Sequence, residues 1–230
     1  MVVMFLLVDI ENRGKPSRVD VVKARENMAY TLSSVTEEYV EIEYFANITL
    51  DYIHSLNPKG IVLSGSSSPW NAYNVDILRK FYKVLVNVDK PVLGICGGHQ
   101  LIAMAYGGTV DHMRKAKPGE PTGKKGTWSE GLYCERGWME VEILERDPLF
   151  KGLPETIIVD EGHFDEVKKL PKDFKIIATN RNCRVQAMRH KSKPVYGVQF
   201  HPNIFDEKHP HGKTVLKNFF EICRNLHTKC

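Results

Sequence analysis

A single cysteine, Cys96, ends an apolar run and is followed at once by two glycines, in the stretch PVLGICGGHQLIAMAYGG at residues 91–108. Gly97 and Gly98 have no side chains, so they permit the tight strand-to-helix turn that a nucleophile elbow requires. A thiol at the start of the following helix would face free backbone N–H groups and the positive end of the helix dipole, which stabilise a thiolate. We therefore expect an acidic, nucleophilic Cys96; the alternative is a buried cysteine that serves as a small hydrophobic side chain.

A cysteine nucleophile needs a base, and one of the nine histidines has a suitable position. His201 ends the strand-like run VYGVQFHPN, immediately before a proline that cannot continue the strand. Ligands gather at the carboxyl ends of parallel strands, so Cys96 and His201 could meet at one edge of a sheet although they are far apart in the chain. His99 lies too close to Cys96 along the new helix to face it well.

The elements that must position these residues alternate in type through the first half of the chain. Short β-branched runs predict strands at 2–9, 39–45, 60–65 and 90–96. Apolar residues at three- and four-residue intervals predict helices at 18–35 and 75–88. This alternation predicts an α/β fold with a doubly wound, mostly parallel central sheet flanked by helices.

The second half of the chain changes character. Runs at 137–144, 155–161, 174–180, 184–190 and 194–200 follow one another with short turns. They predict an additional antiparallel strand region, closed by a final helix at 212–226. With 42% hydrophobic residues, we expect one domain over residues 1–230.

The composition narrows the class of partner. The net charge of +4 is mild and does not indicate a nucleic-acid binder. No apolar stretch reaches the roughly 18 residues that span a bilayer, and the amino-terminal run is predicted to be a strand and not a signal peptide, so we expect no membrane partner. The five cysteines show no CxxC spacing, which indicates a reducing cytoplasm and argues against a structural zinc site. No metal or cofactor is expected.

One irregular segment, residues 114–131, is rich in basic residues. Its first part carries five basic side chains against Glu120: Arg114, Lys115, Lys117, Lys124 and Lys125. Two interpretations stay open, a solvated loop and a docking edge for an acidic partner.

Taken together, GICGGHQLIAMAYGG and GVQFHPN resemble the motifs of the class I, triad-type glutamine amidotransferases. The resemblance covers most of the chain, including GIVLSGSSS, DPLFKGLP and GHFDEVKKLP in the expected order, and is greatest to the GMP synthetase branch of that family. It implies that Cys96 attacks the side-chain amide of glutamine, that His201 moves protons, and that water resolves the thioester to glutamate. The ammonia would pass to an ATP-dependent synthetase subunit on another chain, since no P-loop motif is present here.

The same resemblance assigns the other site residues. The oxyanion would be held by the N–H groups of Gly97 and Ser66. The substrate-binding positions that it implies are Gly65, Gln100, Gly162, His163, Phe164 and Asp165.

Two positions depart from the family pattern. Ser66 stands where the family loop usually has a second glycine, which reduces the conformational freedom of that loop. Asn203 stands where the family has the third triad member, a glutamate. A Cys-His pair can work with an asparagine that orients the imidazole, as in papain-like proteases. Asp206 or Glu207 could instead supply the missing carboxylate.

These departures leave three functions open. The leading hypothesis is a glutaminase that supplies ammonia to a separate synthetase, possibly GMP synthetase-like. The second is a stand-alone hydrolase of γ-glutamyl amides or peptides, which uses the same thioester chemistry. The third is a non-catalytic, glutamine-binding regulatory subunit that kept the fold after losing the triad acid.

Overall fold

The computed structural model describes residues 4–13 and 19–228, with the side chains of 19 and 20 left out, so the ends of the predicted 1–230 domain lie outside the described residues. The helices and strands are β1 (Met4–Asp9), α1 (Val19–Thr36), β2 (Tyr39–Tyr44), α2 (Leu50–Leu56), β3 (Ile61–Leu63), α3 (Val75–Asn87), β4 (Val92–Ile95), α4 (Gly97–Ala105), β5 (Thr109–His112), β6 (Glu135–Ile143), β7 (Thr156–His163), β8 (Asp165–Lys169), β9 (Phe174–Thr179), β10 (Ala187–His190), β11 (Val195–Val198) and α5 (His211–His227).

Nine strands form one sheet in the order β2-β1-β3-β4-β11-β10-β9-β6-β7. The first five strands of that order run parallel. The remaining four pair antiparallel. The predicted fold class is therefore confirmed, and β4 and β11, which carry the Cys96 and His201 motifs, are neighbours in the parallel part.

Helices cover both faces of the sheet. On one face, Leu32 of α1 and Phe220 of α5 belong to the same buried cluster as Phe5 of β1. On the other face, Phe81 of α3 and Leu101 of α4 pack in a second cluster. Because the parallel strands are buried on both faces, their sequences are continuous apolar runs and not alternating ones, which is why they could be located from the sequence.

The sequence missed three features. Helix α2 begins at Thr49, whose hydroxyl caps the helix by accepting the Tyr52 N–H. Strands β5 and β8 form a separate antiparallel pair beside the main sheet. Strand β3 ends at Leu63, because residues 64 and 65, which we predicted to be strand, begin the loop at the site. No described helix has the length and apolarity needed to cross a membrane.

Candidate active site

Cys96 lies between β4 and α4 with φ of 51° and ψ of −107°, a backbone conformation that non-glycine residues rarely adopt. Its N–H donates to the Val198 carbonyl at 2.8 Å, which ties the turn to β11. A Cβ on Gly98 would come within 2.7 Å of the Leu63 Cβ and carbonyl oxygen, so only glycine allows this close approach. The elbow therefore has the geometry that the Cys-Gly-Gly spacing predicts.

His201 follows β11 and lies in the same cleft as Cys96. Its backbone N–H donates to the Asp160 carbonyl at 2.8 Å, which bridges the chain to β7. A Cβ on Gly65 would lie 3.3 Å from His201 Cε1 and 3.6 Å from Cys96 Cβ. The thiol and the imidazole thus lie against the same glycine, at the bottom of a cleft of about 870 Å³.

The two predicted oxyanion residues are also brought together. A Cβ on Gly97 would be 2.8 Å from the Ser66 nitrogen. Within the described ranges, the non-glycine residues at positive φ are Glu37, Asn57 and Cys96, so Ser66 adopts an ordinary backbone conformation. The serine at this position therefore needs no glycine-like freedom. The oxyanion role of both N–H groups stays a prediction.

The predicted substrate-binding residues Gly65, Gly162, His163, Phe164, Asp165 and Gln100 all line this cleft. The Gln100 side chain already has partners: Nε2 donates to the Asp165 carbonyl at 2.8 Å, and Oε1 accepts from Trp70 Nε1 at 2.9 Å. The Asp165 carboxylate contacts His112 Nδ1 at 2.5 Å. Gln100 therefore joins α4 to the β7–β8 corner, and its contact with substrate stays a prediction.

The expectation of an acidic Cys96 is not met. Burial raises the pKa of this thiol to about 12, and the negative charge of Glu161 adds to the rise, while the Gly97 N–H acts in the opposite direction. Burial also lowers the pKa of His201 to about 4. The helix N-terminus that the sequence indicated is present, but desolvation outweighs it. At neutral pH the pair is a thiol beside a neutral imidazole.

The third triad position lacks the hydrogen bond that an orienting residue would make. Asn203 lines the cleft, but its buried Oδ1 has no hydrogen-bond partner among the described residues. Asp206 accepts the N–H groups of Lys208 and His209 at 2.9 and 2.7 Å and also contacts the His209 ring. The Asp206 carboxylate is thus committed to its own loop. Glu207 is exposed.

Because Asn203 Oδ1 accepts no hydrogen bond from the described residues, we expect Asn203→Ala to lower kcat for glutamate release by less than about threefold. A steady-state glutaminase assay at neutral pH measures this. A loss of more than about thirtyfold would mean that Asn203 orients His201 once glutamine is bound. The exposed Glu207→Ala change, in the same loop, provides the matched control.

The basic segment 114–131 forms one wall of the cleft, which neither of its two interpretations anticipated. Trp128 Nε1 donates to the Ser67 carbonyl at 3.3 Å, and its ring contacts those of His112 and Phe164. Lys124 also lines the cleft. A tryptophan within a charged loop is the signal that could have suggested a contact with the rest of the protein.

Behind the cleft, His163 lies in a buried charge cluster. Its Nε2 is 3.0 Å from Glu135 Oε2 and 3.3 Å from Glu161 Oε2, and its Nδ1 is 3.0 Å from the Asp165 carbonyl. All of these partners accept hydrogen bonds, so both ring nitrogens donate. Although burial by itself lowers the pKa of His163, the two carboxylates outweigh it and raise that pKa to about 10. His163 is therefore a buried imidazolium that supports the β7–β8 corner.

This cluster predicts how stability depends on pH. The pKa of His163 is about 10 in the folded protein and ordinarily 6.5, so its contribution is complete below 6.5 and is lost as pH rises through 10. Between about pH 7.5 and 8.5, we expect the free energy of unfolding to fall by about 1.4 kcal/mol per pH unit, the value for one proton. Urea denaturation measures it. The His163→Gln variant should show a flat dependence, and an equal slope in both proteins would contradict the prediction.

The glutamine amidotransferase class-I family matches residues 19–223 of this chain, and the chain belongs to that family. Among curated relatives, it is 41% identical over 191 residues to the glutamine-hydrolysing subunit of GMP synthase from Pyrococcus abyssi, covering 81% of this chain and 88% of the relative. The protein of the same name from Methanothermobacter thermautotrophicus is 39% identical, with 83% and 90% covered.

Solved structures give the same result. A protein assigned as a GMP synthase subunit from Thermoplasma acidophilum superposes with a TM-score of 0.74 at 27% identity, covering 100% of this chain and 98% of that one. A glutamine amidotransferase from Thermotoga maritima, at 18% identity and a TM-score of 0.58, supports the fold alone; it covers 100% of this chain and 85% of that one.

Proposed function

We propose that this chain is the glutaminase of a two-subunit GMP synthase: it hydrolyses the side-chain amide of glutamine and supplies ammonia to an ATP-dependent synthetase subunit on another chain. The observation that supports this most strongly is the strained Cys96 elbow, which lies with His201 against Gly65. The curated relatives, which are named as the glutamine-hydrolysing subunit of GMP synthase, support the identity of the partner. We also propose one domain over 1–230, and a cytoplasmic location on account of the free cysteines Cys96, Cys134, Cys183 and Cys223.

The proposed reaction starts from neutral partners. As the Cys96 sulfur attacks the amide carbon, its proton passes to His201, whose low pKa keeps the imidazole free to accept it. The amide oxygen becomes an oxyanion that accepts hydrogen bonds from the N–H groups of Gly97 and Ser66. The His201 imidazolium then protonates the leaving nitrogen, and ammonia departs. Water, deprotonated by His201, attacks the thioester and releases glutamate.

The proposal is tested by incubating the full chain with amide-¹⁵N-labelled glutamine, alone and with a GMP synthase subunit that lacks its own glutaminase. We expect release of glutamate and the appearance of ¹⁵N in GMP. Hydrolysis of γ-glutamyl peptides far faster than glutamine would favour the stand-alone hydrolase. If no glutamate forms with or without the partner, while a glutamine-site chloroketone fails to label Cys96, the chain is a non-catalytic subunit.

A further inference from the structure

The loop that carries Ser66 is held by a carboxylate that the sequence did not single out. Glu11 follows β1 and is only 5% exposed. Its Oε2 accepts the Ser67 N–H at 2.8 Å and the Ser67 hydroxyl at 3.1 Å, and its Oε1 accepts the Ser68 hydroxyl at 2.5 Å. The Ser66 hydroxyl lies 3.3 Å from Oε1. One buried carboxylate therefore contacts three consecutive residues of the loop.

The other side of the loop is held by groups that converge on the same carboxylate. The Ser66 Oγ accepts the Ser68 N–H at 3.1 Å and contacts the Tyr73 hydroxyl at 2.5 Å. Arg25 donates to the Gly65 carbonyl at 2.8 Å and lies 3.5 Å from Glu11 Oε2. Its guanidinium compensates the negative charge of Glu11, so the carboxylate can hold the loop without leaving an unbalanced charge beside a developing oxyanion.

These bonds matter because an oxyanion donor works only when it is fixed in advance. The Ser66 nitrogen faces Gly97, and a displacement of about half an ångström is enough to weaken such a site. Residues 64–68 belong to no helix or strand, so no backbone ladder holds them. The side chains of Glu11 and its partners supply the restraint that secondary structure does not.

We propose that Glu11 is a positioning residue, which fixes the loop so that the Ser66 N–H points at the oxyanion of the glutaminase reaction; this inference rests on the proposed function. Glu11 acts through the loop and takes no part in proton transfer. Its loss therefore affects the step in which the oxyanion forms, and leaves a displacement reaction at the Cys96 sulfur unaffected.

The experiment compares Glu11→Ala and Glu11→Gln with the wild-type chain in two reactions. For glutamate release, we expect Glu11→Ala to lower kcat about thirtyfold with KM within about threefold. Glu11→Gln should lose about fivefold, because its amide oxygen can still accept the Ser67 N–H. Alkylation of the Cys96 sulfur by iodoacetamide, which expels iodide and forms no oxyanion, should proceed at the wild-type rate in both variants.

Asp147→Asn is the matched control. Asp147 is equally buried, accepts the Leu149 N–H at 2.9 Å and pairs with Arg189 at 2.9 Å, but it does not line the cleft. It should lose stability without losing kcat. If Glu11→Ala does not fold, as circular dichroism would reveal, the glutamine variant decides.

Three results would overturn the inference while leaving the proposed function intact: an unchanged kcat, a raised KM with unchanged kcat, and a loss of alkylation in parallel with kcat. The second would make Glu11 a substrate contact, and the third a support of the Cys96 elbow. A wild-type chain that releases no glutamate, even with its synthetase partner, would refute the proposed function and this inference with it.

Discussion

Replacing Cys96 with alanine is expected to lower kcat for glutamate release by at least about 10⁴-fold, to the background of the assay. The thioester route needs a nucleophile, and no other cysteine lines the described cleft. The substitution removes one sulfur atom from a buried position, so the fold should survive. Circular dichroism and the glutaminase assay on the same preparation separate the loss of chemistry from a loss of folding.

Two further variants sharpen this result. Cys96→Ser should be as inactive as the alanine variant, because a serine depends on a base that a third residue orients, and Asn203 Oδ1 makes no such bond within the described part of the chain. Cys223→Ala should keep wild-type activity, since Cys223 is another buried free cysteine, packed against Gly60 and away from the cleft. Glutamate release by Cys96→Ala above about one per cent of the wild-type rate would rule out the thioester mechanism.

The second large effect is expected at the base. His201→Ala should lower kcat by about 10³-fold, within the usual range for loss of a general acid–base group. Because the resting thiol has a pKa of about 12, the sulfur depends on His201 to remove its proton. Iodoacetamide alkylation at neutral pH should therefore slow in the same variant, in contrast to the Glu11 variants.

The pH profile of the wild-type protein tests the same residue. The base must be neutral to accept a proton, so a pKa of about 4 places the acid limb of kcat/KM near pH 4 and not near 6.5. Activity should rise through pH 4 and stay level through neutral pH. The neighbouring His209→Ala variant should keep this profile, since His209 stacks on Trp138 and binds Asp206 outside the cleft. An acid limb near pH 6.5 would show that His201 is solvated and would contradict the burial.

Much of the fold could be predicted because its signals are local. Buried parallel strands such as β1 and β4 are short apolar runs that end in turn-forming residues. The antiparallel second half follows from short turns between successive runs. Helix α2 and the β5–β8 pair were missed because their apolar content is low and their partners are distant in the chain.

The sequence by itself determined the elbow at Cys96, since two glycines after an apolar run allow few other conformations, and it indicated His201 because a His-Pro pair ends a strand beside β4. Only the tertiary structure decided the protonation state of that pair, the Glu11 contacts to the Ser66 loop, and the Trp128 wall of the cleft. The physical reason is that a pKa and a loop conformation depend on desolvation and on hydrogen bonds from residues far apart in the chain. Such contacts leave no periodic or spaced pattern among neighbouring residues.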